Sequence, residues 1–327
     1  LRQKGVETRT VERSEYTPAA VAWADAIFSA GGDGTFLLAA SQVFSRDKPV
    51  IGINTDPSGS EGHMCMLRKE PWGKVEEAMQ TLWSGDFEWL FRQRIRVSVT
   101  AEGGVGESMQ SLHSSSMNRD PSTSRWEGLH PHLEDSSKSS RRRRSRPERK
   151  TEQLPVLALN EVFVGESLSS RVSYYQLRVD GSPPIKQKSS GLTVSTGTGS
   201  TSWFFNINKM TTTNIEQILE IAAAEMDAPS LRNPSPALVE RIRDDFNNHL
   251  TFSPELKKMA FSVRDPIFNS TFPPSASRGF ADDIYVKSRG FDAHLVVDGG
   301  VSFAFNDGAE ATMRVLEEDA LRTVIFR

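Results

Sequence analysis

One cysteine, Cys65, stands in 327 residues, which excludes an internal disulfide and any cysteine-built zinc cluster. Such usage suits a reducing compartment, and Cys65, set between Met64 and Met66, reads as core filler rather than as a nucleophile. Long apolar runs are missing too. No stretch approaches the roughly 18 uninterrupted apolar residues of a membrane span, and no apolar signal segment opens the chain, which argues against membrane insertion and secretion. Neither charge sign dominates: 39 Lys and Arg against 42 Asp and Glu leave a net charge of −3. At 37% hydrophobic and 25% charged residues, the composition fits a globular enzyme of one or two domains with a real core. Residues 1–17 are charged and hold no strand with which to open an α/β sheet, so a further strand and a targeting segment are expected upstream of Leu1.

What is present is concentrated first in Gly31-Gly32-Asp33-Gly34-Thr35. Glycines let a backbone take positive φ and approach a ligand closely, and the helix expected to follow, Phe36 to Phe44, would aim free N–H groups and a partial positive charge at bound phosphate. An Asp in that setting is repelled by polyphosphate unless it binds a metal ion or takes a proton from an incoming hydroxyl, so the grouping suggests phosphoryl transfer rather than nucleotide binding alone. Isolated, a glycine pair is a tight turn; here the flanks add to it. Thr17-Pro18 reads as a helix N-cap and first helical residue, Ala26 to Ala30 as a buried strand, and Val50-Ile51-Gly52-Ile53 as a second strand, which together make a right-handed βαβ unit.

Beyond a helix at Lys74 to Trp83, closed by Gly85, the character changes. Ile95, Val97 and Val99 alternate with polar residues, and similar runs at Tyr175 to Val179, Leu192 to Ser195, Ile284 to Val286 and Ala293 to Val297 predict a β-rich region. Two helices interrupt it, around Asn214 to Ala224 with Ile215, Ile218, Leu219 and Ala222 on one face, and from Pro236 to His249. Between about Glu102 and Gln153 the chain is too polar to repay the entropy of ordering and reads as a disordered insertion. Its end, Arg141 to Lys150, is strongly basic, but it lacks interleaved aromatics and belongs to a net acidic chain, so a solvated loop is favoured over a nucleic-acid patch.

Two further segments place polar residues where a β-rich core does not want them. Asn160-Glu161 interrupts the apolar run Ala158 to Val164; unpaired burial would cost several kcal/mol, so partners are expected. An amide beside a carboxylate can read an adenine edge and a ribose hydroxyl pair, although a strand end meeting water would show the same pattern. Thr196-Gly197-Thr198-Gly199-Ser200-Thr201-Ser202-Trp203 supplies small hydroxyls, open backbone and a ring that can stack; alone it could be an ordinary turn.

In this order, GGDGT at Gly31 to Thr35, NE at Asn160-Glu161 and TGTGSTSW at Thr196 to Trp203 resemble the NAD kinases. GINTDPSGSEGHMCM at Gly52 to Met66, ALNEVFVGESLSSR at Ala158 to Arg171, KQKSSGL at Lys186 to Leu192 and VVDGGVSFAFNDGA at Val296 to Ala309 look like the mitochondrial branch of that family in animals. The resemblance implies an N-terminal Rossmann-like α/β domain and a C-terminal β-sandwich-like domain with the active site between them. The domains are placed at residues 1–90 and 91–302, with 303–327 returning to the first. It implies ATP-dependent phosphorylation of the adenosine ribose 2′-hydroxyl of NAD to NADP, with Mg2+, in a mitochondrial homodimer, and no nucleic-acid or membrane partner. Asp33 would activate the hydroxyl, Gly31, Gly32, Gly34 and Thr35 would cradle phosphate, Asn160 and Glu161 would hold the adenosine part of NAD, and Thr198, Thr201, Ser202 and Trp203 would line the adenine pocket. No residue is assigned to a metal.

The sequence departs from the family pattern in places. Ser190 replaces an Asp common before the GL of the third motif; Trp203 replaces a Tyr and cannot accept a hydrogen bond. His63 stands where an aromatic usually follows the glycine, and Val263 to Phe268 lacks the histidine of the PxSPH-like segment. Two alternatives stay open: a diacylglycerol or sphingoid-base kinase sharing the GGDGT loop, and a truncated dimer that binds NAD without catalysis because its first strand is missing.

Overall fold

The computed structural model describes residues 1–67, 74–102, 104, 110–111, 149–168, 170–228 and 231–326. Helix α1 (Pro18–Trp23) starts as its sequence predicts: the Thr17 hydroxyl accepts the Ala20 N–H at 3.3 Å and Pro18 takes the first turn. Strand β1 (Ile27–Ala30), helix α2 (Asp33–Ser41) and strand β2 (Val50–Ile53) follow, with β1 and β2 parallel in the register Ile27↔Val50 to Ala30↔Ile53. Strand β3 (Cys65–Leu67) adds in parallel on the other side of β2 to give a three-stranded sheet. Phe36, Ala39 and Ala40 of α2 pack with Val21, Ile27, Val50 and Met64 into a core of its own. Helix α3 (Val75–Ser84) ends where Gly85 takes φ 76° and returns its N–H to Leu82.

The remainder is β-rich. Its elements in chain order are β4 (Glu88–Arg92), β5 (Ile95–Glu102), β6 (Gln110–Ser111), β7 (Arg149–Gln153), β8 (Glu161–Glu166), β9 (Ser173–Val179), β10 (Ile185–Ser189) and β11 (Leu192–Ser195). Helices α4 (Trp203–Asn208), α5 (Thr212–Glu225) and α6 (Pro236–Asn248) come next. Then follow β12 (Met259–Val263), β13 (Arg278–Ala281), β14 (Asp283–Ser288), β15 (Ala293–Val297), β16 (Val301–Ala304), β17 (Glu310–Val315) and β18 (Leu321–Ile325). Six strands pair as β10-β9-β14-β17-β5-β7 and seven as β13-β12-β11-β8-β15-β16-β6. Inward residues of both sheets, among them Val97, Leu177, Ile284 and Met313 from one and Val164, Leu192, Phe261 and Leu295 from the other, share one apolar core.

Several expectations need amending. The polar stretch given to a disordered insertion lies mostly outside the described residues, but its end forms β7, exposed throughout and paired with β5, where Arg149 meets Glu310 at 3.0 Å. A ladder and a cross-strand ion pair hold a strand that its polarity disguised. The last return begins later than residue 303, because β16 and β17 belong to the sandwich and only β18 crosses back. There it pairs with β4, places Leu321 in the core of α2 and touches β2. Strand β11 does not alternate: Leu192, Thr193, Val194 and Ser195 are all buried, since α4 packs on the face that would otherwise meet water. In α5 Ile215 is buried, but Ile218 is 47% exposed, because contact with the rest of the fold falls on Ile215 and Ala223.

Candidate active site

The GGDGT turn is shaped by contact more than by left-handed backbone. Among its glycines only Gly31 has positive φ, 157°. A Cβ on Gly31 would lie 2.3 Å from Thr35 Oγ1 and one on Gly32 2.5 Å from Ser60 Oγ, whereas one on Gly34 would meet nothing within 4 Å. Gly34 and Thr35 are exposed, so the first turn of α2 opens outward.

Asp33, the first residue of α2, is clasped. Its Oδ1 accepts the Met64 N–H at 2.9 Å and its Oδ2 the His63 N–H at 3.1 Å. The loop that follows β2 therefore orients the carboxylate, and each oxygen keeps a lone pair for another donor. His63 serves here through its backbone, and its exposed ring has no part in the clasp. Beside the clasp, burial pushes the Cys65 thiol up to about 11; the Asp33 charge adds to this and the Arg92 charge opposes it. Cys65 is thus core filler, flanked by an anion and a cation.

Arg92, buried at the end of β4, was not singled out by sequence pattern. Its guanidinium donates to the His63 carbonyl at 3.3 Å and to the Thr198 hydroxyl at 3.3 Å. It links the loop that holds Asp33 to the third motif. The only sequence signal was the pair of cations in Phe91-Arg92-Gln93-Arg94, just ahead of the alternating strand β5. Arg94 is also buried, and burial pulls its guanidinium down to about 10. It donates to the carbonyl of Ala40 in the last turn of α2, to that of Val43 just beyond the helix, and to that of Asp319.

The second and third motifs meet at the Asn160 carbonyl. It accepts the Thr196 N–H at 2.9 Å and the Ser195 hydroxyl at 3.3 Å. A Cβ on Gly199 would sit 2.2 Å from this oxygen, so only glycine permits the approach. Leu159, one residue earlier, is anchored in the same core as Phe36 of α2.

The partners expected for Asn160 and Glu161 are found for their backbones alone. Asp298 Oδ2 accepts the Leu159 N–H at 2.8 Å, and its Oδ1 accepts those of Asn160 at 2.8 Å and Glu161 at 3.0 Å. Among the described residues, Asn160 Oδ1 and Glu161 Oε2 are buried without a hydrogen-bond partner. Burial first, and the Asp298 charge second, push the Glu161 carboxyl up to about 8. Asp298 itself is pushed up to about 6, burial outweighing its three N–H bonds. Sequence reasoning quoted Asp298 within a longer string and gave it no role; the Asp-Gly-Gly after an alternating strand was the available signal.

The rest of the third motif spreads outward. Thr198 is buried; the Thr201 hydroxyl donates to the Thr198 carbonyl at 3.2 Å; Ser202 gives its carbonyl to Asn206. Trp203, 37% exposed, lies against Phe163 with ring centroids 5.2 Å apart, and the Arg264 guanidinium stands 5.1 Å from its ring. Trp203 thus already has partners for part of its surface. The structure joins Asp33 to Thr198 through Arg92 and joins Thr196 and Gly199 to Asn160. It leaves Thr201, Ser202 and Trp203 at the rim.

A glycine-rich turn opening outward on a βαβ unit, set beside a β-sandwich bearing polar strand ends, is an arrangement that suits a nucleotide-dependent kinase. A family model described as the ATP-NAD kinase N-terminal domain matches residues 2–87. NAD kinase 2, mitochondrial, of Homo sapiens is 46% identical over 326 residues, 100% of this chain and 71% of the relative. Among solved structures, yeast NADH kinase complexed with NADH superposes with a TM-score of 0.56 at 14% identity, covering 93% of this chain and 62% of that one, less than two thirds of its length. An NAD kinase from Archaeoglobus fulgidus in complex with ATP gives 0.50 at 20% identity, over 93% of this chain and 78% of the other. The chain belongs to the NAD kinase family.

Proposed function

We propose that this chain transfers the γ-phosphoryl group of ATP to the 2′-hydroxyl of the adenosine ribose of NAD, giving NADP, with Asp33 as the residue that accepts the hydroxyl proton. The observation that carries the reading is the clasp: a carboxylate at the first residue of α2, fixed by the N–H groups of His63 and Met64 while its remaining lone pairs stay available. A secondary alcohol is a poor nucleophile at neutral pH, and a fixed acceptor within hydrogen-bond reach stabilises the charge that develops as it attacks. Gly31, Gly32, Gly34 and Thr35 bind phosphate oxygens at the open first turn of α2. Asn160 and Glu161 take the adenosine of NAD, since Asn160 Oδ1 and Glu161 Oε2 lack protein partners and a nucleoside supplies donors. Thr198, Thr201, Ser202 and Trp203 border the adenine.

Among the described residues no group of three or more His, Cys, Asp or Glu side chains is arranged to hold a metal ion. A single carboxylate, that of Asp33 at the first residue of α2, would fit magnesium carried on the donor's phosphates better than magnesium held in a protein cage. When bound there, the ion would neutralise phosphoryl charge. The relative's name supports a mitochondrial location, and the family resemblance supports a homodimer. Sedimentation of the purified chain tests the dimer.

The test of the activity is NADP formation from NAD, ATP and magnesium by the purified chain and by Asp33→Asn. The parent is expected to turn over and the variant to lose on the order of 10²–10⁴-fold in kcat. Equal rates would remove Asp33 from the chemistry. ADP release with a dispersed diacylglycerol in place of NAD would favour a lipid acceptor, and NAD binding without turnover by the parent would leave only a binding protein.

A further inference from the structure

Strand β15 could run on past Val297 beside Asn160 and Glu161, and it does not. Its register with β8 reaches Val297↔Val162, and the next N–H, that of Asp298, donates to the Glu161 carbonyl at 3.0 Å. There the chain turns: Asp298 has φ 47°, Gly299 φ 62°, and the Gly300 N–H closes on the Val297 carbonyl at 2.9 Å. Two left-handed residues in sequence closed by that bond are the signature of a type I′ turn, here inside the three-residue loop between the paired Val297 of β15 and Val301 of β16. The turn leaves the N–H groups of Leu159, Asn160 and Glu161 without a strand to pair with. The Asp298 carboxylate takes all three, at 2.8, 2.8 and 3.0 Å. One side chain replaces a missing length of strand.

With those N–H groups occupied and the Asn160 carbonyl bound to Thr196, the backbone at 159–161 is fixed from both sides while the side chains of Asn160 and Glu161 keep unpartnered oxygens. Asp298 also acts at longer range on the Arg94 guanidinium, which is tied to the carbonyls of Ala40 and Val43 behind the helix that carries Asp33. Resting on the reading of Asn160 and Glu161 as contacts to NAD, we propose that Asp298 is a positioning residue for the dinucleotide: its carboxylate sets the backbone of Leu159 to Glu161 so that the two side chains face the adenosine.

The ordinary role of an Asp here is to serve the turn, and a substitution separates the two roles. Asn suits a type I′ turn at least as well as Asp, so Asp298→Asn keeps the hairpin. It turns an amide N–H toward one of the three donors and removes the charge that draws the others. In the full chain, assayed for NADP formation, Asp298→Asn is expected to raise the KM for NAD by about tenfold or more, with kcat and the KM for ATP changed by less than about threefold. Asn160→Ala and Glu161→Gln are measured alongside. If they raise the KM for NAD and Asp298→Asn does not, the positioning role is wrong while the reading of the pair stands. If none of the three changes it, the reading of the pair fails and this proposal with it. A lower melting temperature with a lower kcat and an unchanged KM for NAD would make Asp298 a fold brace and overturn the proposal.

Should Asp298→Asn not fold, amide hydrogen exchange in the unaltered chain still decides. The amides of Leu159, Asn160 and Glu161 are expected to exchange as slowly as that of Val162 and to slow further with saturating NAD. Rapid exchange at these positions, or no response to NAD, would overturn it.

Discussion

Replacing Glu161 by glutamine is expected to stabilise the substrate-free protein, and increasingly so as pH rises. Burial and the neighbouring Asp298 carboxylate lift the Glu161 carboxyl from an ordinary 4.5 to about 8. Below pH 4.5 the folded and unfolded chains both hold this proton, so its contribution to stability is fully present. Between 4.5 and 8 the unfolded chain releases the proton and the folded chain keeps it, so stability falls as pH rises; above 8 both are ionised and the loss is complete. At about 1.4 kcal/mol per pH unit the loss is capped near 5 kcal/mol, and because the residue as a whole is half-buried, roughly 2–4 kcal/mol is the realistic range. Glutamine resembles the protonated acid and escapes the loss. With an unfolding entropy of roughly 2 cal/mol/K per residue across 327 residues, this corresponds to a melting temperature raised by about 3–6 °C at pH 9. At pH 4.5 the two proteins should melt together. Asp298, pushed up to about 6, and Arg94 face this region in both proteins, so the difference between the melting curves isolates Glu161. Scanning calorimetry in the absence of nucleotide from pH 4.5 to 9 is the assay. A difference that is flat with pH, or that favours Glu161 at pH 9, would refute the argument.

Binding of NAD near pH 7 is expected to release protons, because ribose hydroxyls donating to Glu161 favour its ionised form; calorimetric titration in buffers of different ionisation enthalpy reads the number, and proton uptake would contradict it. Gly34→Ala places its methyl where nothing lies within 4 Å, so the melting temperature should hold or rise slightly while turnover falls by about 10²-fold if phosphate docks against this turn; unchanged kinetics would remove Gly34 from the phosphate site. Gly199→Ala drives a Cβ to 2.2 Å from the Asn160 carbonyl, and about 1–3 kcal/mol of stability should be lost together with affinity for NAD; a variant that melts and binds normally would show that this approach is not required. An NAD analogue lacking the adenosine 3′-hydroxyl should bind about tenfold more weakly or worse, since it leaves a buried acceptor at Glu161 unpaired; equal affinity would place the ribose elsewhere.

The α/β start was legible because its signals are local. Thr17-Pro18, the apolar run before the glycines and the strand at Val50 to Ile53 each fix a neighbouring stretch of backbone, and the parallel pairing of β1 with β2 follows from them. The sandwich strands showed by alternation wherever one face meets solvent, as in β5, and were blurred wherever both faces are covered, as in β11. What pattern could not show is what lies far apart in sequence. Asp298 holds Asn160 from 138 positions away, and Arg92 reaches Thr198 across 106. Neither partner carries a mark that separates it from a turn residue or a surface cation. The residue types of the site were visible as polar interruptions, whereas the residues that aim them looked ordinary.

The two carboxylates of the site are handled in opposite ways, and the difference follows from what each has to meet. In the proposed reaction Asp33 meets the attacking hydroxyl, a task that calls for a fixed position, and both its oxygens are tied to the His63 and Met64 amides. On the same reading Glu161 meets the ground-state ligand and rejects ligands that lack donors, a role its Oε2 and the neighbouring Asn160 Oδ1, both without protein partners among the described residues, are suited to. An acceptor satisfied by the protein would bind a deoxy ligand almost as well as the hydroxylated one. An unsatisfied one penalises the wrong ligand by about 1–3 kcal/mol and repays the right one by the same amount. Such selectivity lowers the stability of the empty protein, and the unpartnered side chains would tend to turn and seek bonds of their own. The three amide bonds to Asp298 oppose that collapse at the backbone, where they leave the side chains free.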